Sequence, residues 1–201
     1  MNQKRTDALK STVLTVPNVL SLFRILLVPF FLRAILIRRP TEALLIFVLA
    51  SLTDLLDGFT ARVWHQRSKL GTILDPAGDK LLMATSYVVL TIPKLGVPNY
   101  IPLGLTVLVF ARDIMIVSGA AYAFVSWGQK TFAPSILGKV TTACQVGTVF
   151  LVLWLNHLRT AAGYMPWVFR ITALATVASG VYYFVLGLSI LREHRRGKKA
   201  D

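Results

Sequence analysis

The stretches DLLDGFTAR at residues 54–62 and GTILDPAGD at residues 71–79 place four aspartates in and beside apolar sequence. These residues, Asp54, Asp57, Asp75 and Asp79, are nearly half of the nine acidic residues in the chain. An ionised carboxylate in or near a bilayer is costly unless a positive charge compensates it. The stretch therefore predicts a site at a membrane that holds cations.

The composition around this stretch indicates a membrane protein. Of the 201 residues, 55% are hydrophobic, and several apolar runs have the length of about 20 residues that a helix needs to cross a bilayer. We predict an all-α membrane protein with six transmembrane helices. The predicted spans are roughly Val19–Ile37, Glu42–Ala61, Ile73–Ile92, Ile101–Val125, Ile136–Leu155 and Trp167–Leu191.

The ends of the chain differ from its centre. An amphipathic lead-in helix is predicted before the first span, and residues 1–15 and 192–201 are polar tails. No linker, repeat or low-complexity segment marks a second domain. We therefore predict a single membrane domain over residues 1–201.

Basic residues predict the orientation of the spans. Thirteen Lys and Arg residues fall in the N-terminal tail, around the second and fourth connections and in the C-terminal tail. Because basic loops stay in the cytoplasm, both termini and the aspartate cluster are predicted to be cytoplasmic. The opposite side holds Arg38, Arg39, Lys94 and Arg159.

Charge and cysteine content exclude several function classes. A formal net charge of +13 would favour nucleic acid in a soluble protein. Basic residues that flank membrane spans are better explained by anionic lipid headgroups, so no nucleic-acid partner is expected. The single cysteine, Cys144, excludes an internal disulfide and a cysteine cluster for zinc.

The spacing of the aspartates predicts their chemistry. Asp54 and Asp57 are three residues apart and Asp75 and Asp79 are four apart, so each pair shares one face of a helix. A short connection predicts that the two helices are antiparallel neighbours, with the carboxylates converging. Hard oxygen ligands of this kind suit Mg²⁺, Mn²⁺ or Ca²⁺, and four carboxylates suit two ions. One buried aspartate is often a packed ion pair with an arginine, but four at helical spacing are much harder to explain that way.

Small and basic residues accompany the carboxylates. Gly58 and Ala61 lie on the same helix face and leave a platform on which a flat or bulky group can rest. Arg62 can supply positive charge to a phosphate. Gly71 allows a tight turn or a close backbone approach before the third span.

This region resembles the signature of the CDP-alcohol phosphatidyltransferases at every position, with both gap lengths intact. Two further motifs, Pro17-Asn18-x-Leu20-Ser21-x-x-Arg24 and Ala111-Arg112-Asp113, are similar to bacterial phosphatidylglycerophosphate synthases and the related cardiolipin synthases. The resemblance covers about Val16 to Leu191. The residues that match the signature are Asp54, Asp57, Gly58, Ala61, Arg62, Gly71, Asp75 and Asp79.

The resemblance implies a role for each of these residues. Asp54, Asp57 and Asp75 would bind two divalent ions, Mg²⁺ or Mn²⁺, and Asp79 would complete the metal site and act as the general base. The residues expected to contact CDP are Gly58, Ala61, Arg62 and Gly71.

The resemblance also implies a reaction in phospholipid biosynthesis. An acceptor hydroxyl would attack the β-phosphorus of CDP-diacylglycerol, transfer the phosphatidyl group and release CMP. The expected location is the inner (cytoplasmic) membrane of a bacterium, with the active site facing the cytoplasm. Gly180 and Gly187 in the last span allow close helix packing, which makes a homodimer possible.

The acceptor alcohol is predicted less directly. Glycerol 3-phosphate, the first expectation, would need cations, for which the candidates are Arg112, Lys139 and Arg170. Phosphatidylglycerophosphate synthases often carry a further arginine where this chain has Gly119-Ala120-Ala121, and a Gly-Lys-x-Lys run where it has Gly138-Lys139-Val140-Thr141. These departures favour the alternative acceptor phosphatidylglycerol, which would make the enzyme a cardiolipin synthase.

Proteins of other classes also place carboxylates in membranes. An ion-coupled transporter does so, but such proteins usually have two repeated halves, and no repeat is visible in this sequence. Membrane prenyltransferases use aspartates and magnesium on a diphosphate, but their aspartate pattern differs. CMP release in detergent, where no compartments exist, would separate a transferase from a transporter.

Overall fold

Six α-helices form the regular structure of the described chain, and this part contains no strand. The computed structural model describes residues 16–64, 71–93, 97–127 and 135–197, with side chains for residues 19–54, 78, 80–93, 97–121 and 135–189. The all-α prediction is confirmed, and every helix coincides with a predicted span. The helices are α1 (Val16–Leu36), α2 (Pro40–Trp64), α3 (Gly71–Leu90), α4 (Leu103–Trp127), α5 (Ile136–His157) and α6 (Met165–Gly197).

Some predictions fall outside these residues. The amphipathic lead-in helix, predicted to end at Pro17-Asn18, lies mostly in residues 1–15, and the basic residues Arg67, Lys69 and Lys130 lie in connections that are not described. The end of the basic C-terminal tail, including Lys198 and Lys199, also lies outside. The six-span count and the orientation of the termini therefore remain predictions.

The described helices have the character of membrane helices. Four contain apolar stretches long enough to cross a bilayer, namely Val19–Leu36, Leu103–Ala121, Ile136–His157 and Met165–Ser189. Large apolar side chains are exposed along them, as at Leu174, which is 70% exposed. Exposed apolar surface of this extent suits lipid rather than water. The chain is an integral membrane protein.

Two helix ends carry arginines in the left-handed backbone region. Arg38 follows α1 with φ 58° and Arg159 follows α5 with φ 54°. At each end, two backbone hydrogen bonds close the last turn, for example from Arg39 N to the carbonyl of Ala34 at 2.9 Å. This is the Schellman arrangement, which usually uses glycine. Pro40 then begins α2 at a position where its missing N–H costs little.

The described residues of Met1–Tyr100, together with Phe150–Ala161, form one compact unit, called here the first unit. Within it α1 packs against both α2 and α3. The Phe31 and Phe47 rings meet with their centroids 6.2 Å apart, and both side chains are buried. Asn99 and Asn156 are also buried. The Asn99 backbone N–H donates to Asn156 Oδ1 at 2.9 Å, and Asn156 Nδ2 donates to the Asn99 backbone carbonyl at 3.0 Å.

The described residues of Ile101–Val149 and Ala162–Asp201 form the second unit. Within it α4 packs against α6. Helix α5 is joined to α6 by hydroxyl groups: Thr141 Oγ1 donates to the carbonyl of Ala175 at 2.9 Å, and the Thr148 and Thr172 hydroxyls lie 2.7 Å apart. These bonds satisfy polar groups that could find no water in a bilayer.

Candidate functional site

The four aspartates lie on two helices that share a packing partner. Asp54 and Asp57 are on α2, and Asp75 and Asp79 are on α3, so each pair has the helical spacing predicted for one face. Helix α1 packs against both. Of the four side chains the structure describes that of Asp54, and the other three lie outside the described set.

Arg24 on α1 forms an ion pair with Asp54. Its Nη1 lies 3.0 Å from Oδ1 of the carboxylate. The arginine side chain is 1% exposed, whereas the aspartate side chain is 48% exposed. An arginine enclosed inside a membrane protein needs such an anionic partner, because burying an unpaired charge costs several kcal/mol.

The same turn of α1 contacts α3. Gly78, between Asp75 and Asp79 in sequence, is buried, and a Cβ built on it would lie 3.6 Å from the carbonyl oxygen of Ser21 and 3.8 Å from Cδ of Arg24. One turn of α1 therefore touches both helices that carry the motif. We call Ser21, Arg24, Asp54 and Gly78 the Arg24 cluster.

Arg24 was not among the predicted site residues. The available signals were its place in an apolar span and its match to a motif shared with related enzymes. Its pairing with Asp54 could not be predicted, because it depends on how α1 and α2 face each other.

The donor chemistry of the motif fits a divalent cation. Asp54 presents a half-exposed carboxylate, and its three counterparts occur at helical spacing on helices that pack on α1. Such oxygen ligands are the ones that Mg²⁺ and Mn²⁺ prefer. Among the described side chains no group of three or more His, Cys, Asp or Glu residues lies together, but that set includes only one of the four aspartates.

The residues predicted to contact CDP are placed by their backbone. Gly58, Ala61 and Arg62 lie on α2 beyond Asp57, and Gly71 is the first residue of α3. Gly71 thus stands where the chain enters the helix that carries Asp75 and Asp79. What Arg62 contacts lies outside the described side chains.

Arg112, predicted to bind the acceptor, is held from several sides in the second unit. Its Nη1 donates to Asp113 Oδ1 at 2.8 Å, and its Nη2 donates to Ser179 Oγ at 2.8 Å. Its Cζ lies 5.7 Å from the centre of the Tyr183 ring, a cation–π distance. With a side chain only 9% exposed, Arg112 is nearly enclosed.

The start of α5 completes this group. The Ser135 backbone N–H and hydroxyl both donate to the Tyr183 hydroxyl at 3.1 Å, and Ser135 Oγ caps the helix by accepting from the Gly138 N–H at 3.0 Å. A Cβ on Gly138 would lie 2.9 Å from the Tyr183 hydroxyl. A Cβ at this position would therefore force the Tyr183 hydroxyl to move. We call Arg112, Asp113, Ser135, Gly138, Ser179 and Tyr183 the Arg112 cluster.

The other two predicted acceptor cations differ in position. Lys139 is exposed and directly follows Gly138, at the edge of the Arg112 cluster. Arg170 is exposed, and its guanidinium lies 4.8 Å from the centre of the Trp167 ring. It precedes Ser179 by about two and a half turns of α6. Lys139 is thus next in sequence to a residue of the Arg112 cluster, whereas Arg170 lies farther along α6 from Ser179.

The sequence profile of the CDP-alcohol phosphatidyltransferase family matches residues 14–182. The chain belongs to this family. The match begins before α1 and ends at Tyr182 in α6, so it includes both clusters apart from the last residue of the Arg112 cluster, Tyr183.

The chain is similar to family members with two different enzyme names. Cardiolipin synthase (CMP-forming) from Homo sapiens is 35% identical in an alignment of 199 positions that covers 90% of this chain and 64% of that protein. The same enzyme from Rattus norvegicus is 35% identical over 86% of this chain and 61% of its own length. The CDP-diacylglycerol–glycerol-3-phosphate 3-phosphatidyltransferase of Pectobacterium atrosepticum is 34% identical in an alignment of 142 positions that covers 69% of this chain and 76% of that protein. The chain thus spans less than two thirds of the two cardiolipin synthases.

Proposed function

We propose that the protein transfers a phosphatidyl group from CDP-diacylglycerol to a glycerol-type alcohol and releases CMP, a step of phospholipid biosynthesis. Family membership supports the reaction class. The observation that carries the proposal is the placement of the complete aspartate motif on two helices that both pack against α1, with Asp54 half exposed beside Arg24. A purely structural scaffold gives the four carboxylates no function, and CMP release in detergent separates the proposal from an ion-coupled transporter.

Asp54, Asp57, Asp75 and Asp79 would hold two divalent ions, Mg²⁺ or Mn²⁺. When bound, the ions neutralise the diphosphate of the CDP-lipid and the charge on the departing CMP. Asp79 accepts the proton of the acceptor hydroxyl. The hydroxyl oxygen then forms a bond to the β-phosphorus as the bond from that phosphorus to the CMP oxygen breaks.

Other residues orient the nucleotide. Arg62 supplies positive charge to the diphosphate, and Gly58 and Ala61 leave room for the cytidine group on their face of α2. Gly71 lets the backbone at the start of α3 approach the ligand closely. Direct displacement is expected, because no serine, cysteine or histidine in the sequence is placed as a covalent nucleophile.

The acceptor is a glycerol that carries a phosphate, either glycerol 3-phosphate or phosphatidylglycerol. Glycerol 3-phosphate is the first expectation from the sequence. Two observations favour phosphatidylglycerol: the similarity to cardiolipin synthase extends over 90% of the chain, and Asp113 already compensates the charge of Arg112. A compensated arginine suits a phosphodiester better than the more highly charged phosphomonoester. Arg112 and Lys139 are proposed to bind this phosphate, with Arg170 as a more distant third candidate.

The proposed setting is a bacterial inner membrane. The chain would cross it six times as a single domain, with both termini and the aspartates on the cytoplasmic side. A homodimer through α6 fits Gly187, whose Cβ position meets nothing within 4 Å, whereas Gly180 already lies against Met115 and Arg112 of α4.

A direct assay tests the reaction and the acceptor together. Protein purified in detergent receives CDP-diacylglycerol with Mg²⁺ or Mn²⁺ and one acceptor at a time, while CMP and the lipid product are measured. We expect CMP release that EDTA abolishes and excess metal restores. Cardiolipin formed from phosphatidylglycerol, with no product from glycerol 3-phosphate, would settle the acceptor. Failure to release CMP with either acceptor would reject the proposed function.

A further inference from the structure

Arg24 is the most deeply buried charged side chain among the described residues, and the proposed reaction gives it no role. We infer that Arg24 is a positioning residue that orients the Asp54 carboxylate for cation binding. This inference rests on the proposed function, because it concerns the same site.

The uneven burial of the pair is the first argument. An ion pair that the protein encloses completely has both charges removed from water, so neither can take a further ligand. Here the guanidinium is 1% exposed and the carboxylate is 48% exposed. Arg24 therefore holds Asp54 from the protein side, while the carboxylate remains open on another side.

The atoms in contact are the second argument. Arg24 Nη1 lies 3.0 Å from Oδ1 of Asp54. A carboxylate with one oxygen fixed in this way can bind a cation through Oδ2 in a single orientation. A bound cation then does not have to order the side chain, which reduces the entropic cost of binding.

The contact with α3 is the third argument. The Arg24 side chain and the Ser21 carbonyl lie within van der Waals distance of the Cβ position of Gly78, between Asp75 and Asp79 in sequence. The same turn of α1 thus orients one carboxylate on α2 and contacts the helix that bears two others. Arg24 thus acts on the site through Asp54, on a turn of α1 that also contacts the helix bearing Asp75 and Asp79.

The competing expectation is electrostatic. A fixed positive charge beside the Asp54 carboxylate repels a divalent cation, so its removal alone would tighten metal binding. Orientation and repulsion therefore predict opposite signs for the effect of an uncharged residue at position 24. The sign of the change in affinity decides between them.

The experiment is a double-mutant cycle on the full chain in detergent, with Mn²⁺ binding measured from the EPR signal of free Mn²⁺. The four proteins are the wild type, Arg24→Gln, Asp54→Asn and the double variant. We expect Arg24→Gln to weaken Mn²⁺ binding at least fivefold when Asp54 is present and less than twofold in the Asp54→Asn background. Equal weakening in both backgrounds, or tighter binding by Arg24→Gln, would overturn the inference.

Two further variants keep the test decisive. Arg33→Gln, which removes an exposed arginine from the same helix, should leave Mn²⁺ binding unchanged. If Arg24→Gln does not fold, Arg24→Lys replaces it, because lysine retains a charge but has one rotatable donor group instead of a rigid fork. We then expect binding about threefold weaker with Asp54 and unchanged with Asn at position 54, and the same weakening in both backgrounds would overturn the inference.

CMP release separates this inference from the proposed function. At saturating Mn²⁺ we expect Arg24→Gln to lower kcat at least tenfold and to change KM for CDP-diacylglycerol less than threefold. A wild-type protein that neither binds Mn²⁺ nor releases CMP would reject the proposed function itself. A wild-type protein that does both, with Arg24→Gln indistinguishable from it, would reject only the positioning role.

Discussion

The Arg24 cluster and the Arg112 cluster each centre on an enclosed arginine, but they expose different groups. Arg24 pairs with an aspartate on another helix, and that carboxylate is 48% exposed. Arg112 pairs with its neighbour Asp113, which is 22% exposed, and its remaining contacts, with Ser179 and Tyr183, come from α6. The first arrangement presents an anion suited to a cation. The second holds a cation whose charge is already balanced, which suits a weakly charged phosphate.

The largest expected effect concerns Asp79, on the helix α3 that the Arg24 cluster contacts. Asp79→Asn removes the proposed general base, and such a group typically contributes 10²–10⁴-fold to the rate. We expect CMP release to fall by about 10³-fold while the protein elutes from size exclusion as the wild type does. Wild-type turnover by Asp79→Asn would exclude Asp79 as the general base.

The next effect concerns the enclosed cation. Arg112→Lys loses the paired bonds to Ser179 and the stacking on Tyr183, because lysine has no planar fork. We expect KM for the acceptor to rise about 10-fold or more, as for loss of a charged hydrogen bond, with KM for CDP-diacylglycerol within threefold. Equal changes in both KM values would show that the Arg112 cluster does not discriminate between the substrates.

Arg170→Lys provides the comparison for this result. The Arg170 guanidinium stacks on Trp167 and lies well along α6 from Ser179. We expect a change of less than about threefold in the acceptor KM, because its position separates it from the Arg112 cluster. An increase in acceptor KM as large as that of Arg112→Lys would instead indicate that Arg170 binds the acceptor, as predicted from the sequence.

A smaller effect is expected from a change in the packing of the Arg112 cluster. In the Arg112 cluster a Cβ on Gly138 would lie 2.9 Å from the Tyr183 hydroxyl. Overpacking of this kind costs about 1–3 kcal/mol, so Gly138→Ala should unfold at a lower temperature than the wild type. Gly147→Ala is the matched control, because it lies on the same helix and meets nothing within 4 Å. Equal melting temperatures for both variants would contradict the close contact.

The smallest effect is expected in the Arg24 cluster. A Cβ on Gly78 would meet its nearest neighbours at 3.6 Å, an ordinary contact distance. We therefore expect Gly78→Ala to change the free energy of unfolding by less than about 1 kcal/mol. A loss as large as that of Gly138→Ala would mean that α1 and α3 pack more tightly than the two distances indicate.

Much of the fold could be predicted because its signals are local. The apolar stretch that includes Val19 to Leu36 has the length of a membrane span, and the observed helix begins and ends within three residues of the prediction. Pro40 and Glu42 open α2 as a proline and an acidic residue commonly do. The left-handed arginines Arg38 and Arg159 could not be predicted, because glycine is the usual residue at such helix ends.

The candidate site could be predicted in part. Asp54 and Asp57, like Asp75 and Asp79, share a helix face by spacing alone, and that inference needs no tertiary contact. Arg170 stays a predicted acceptor residue, because the sequence reports its closeness to a span end but not which neighbouring helices it faces. Tyr183 was missed altogether, since an aromatic residue in a membrane span is unremarkable until its hydroxyl meets Ser135.

By itself the sequence determined the membrane character, the helix positions and the carboxylates that share a face, because hydropathy and the 3.6-residue repeat act within one helix. The tertiary structure decided which charges meet. Arg112 and Ser179 are 67 residues apart along the chain, and Arg24 and Asp54 lie on different helices. Their contacts depend on how the packed helices are rotated and how they cross. The shapes of side chains on both helices set this geometry, so no local sequence pattern predicts it.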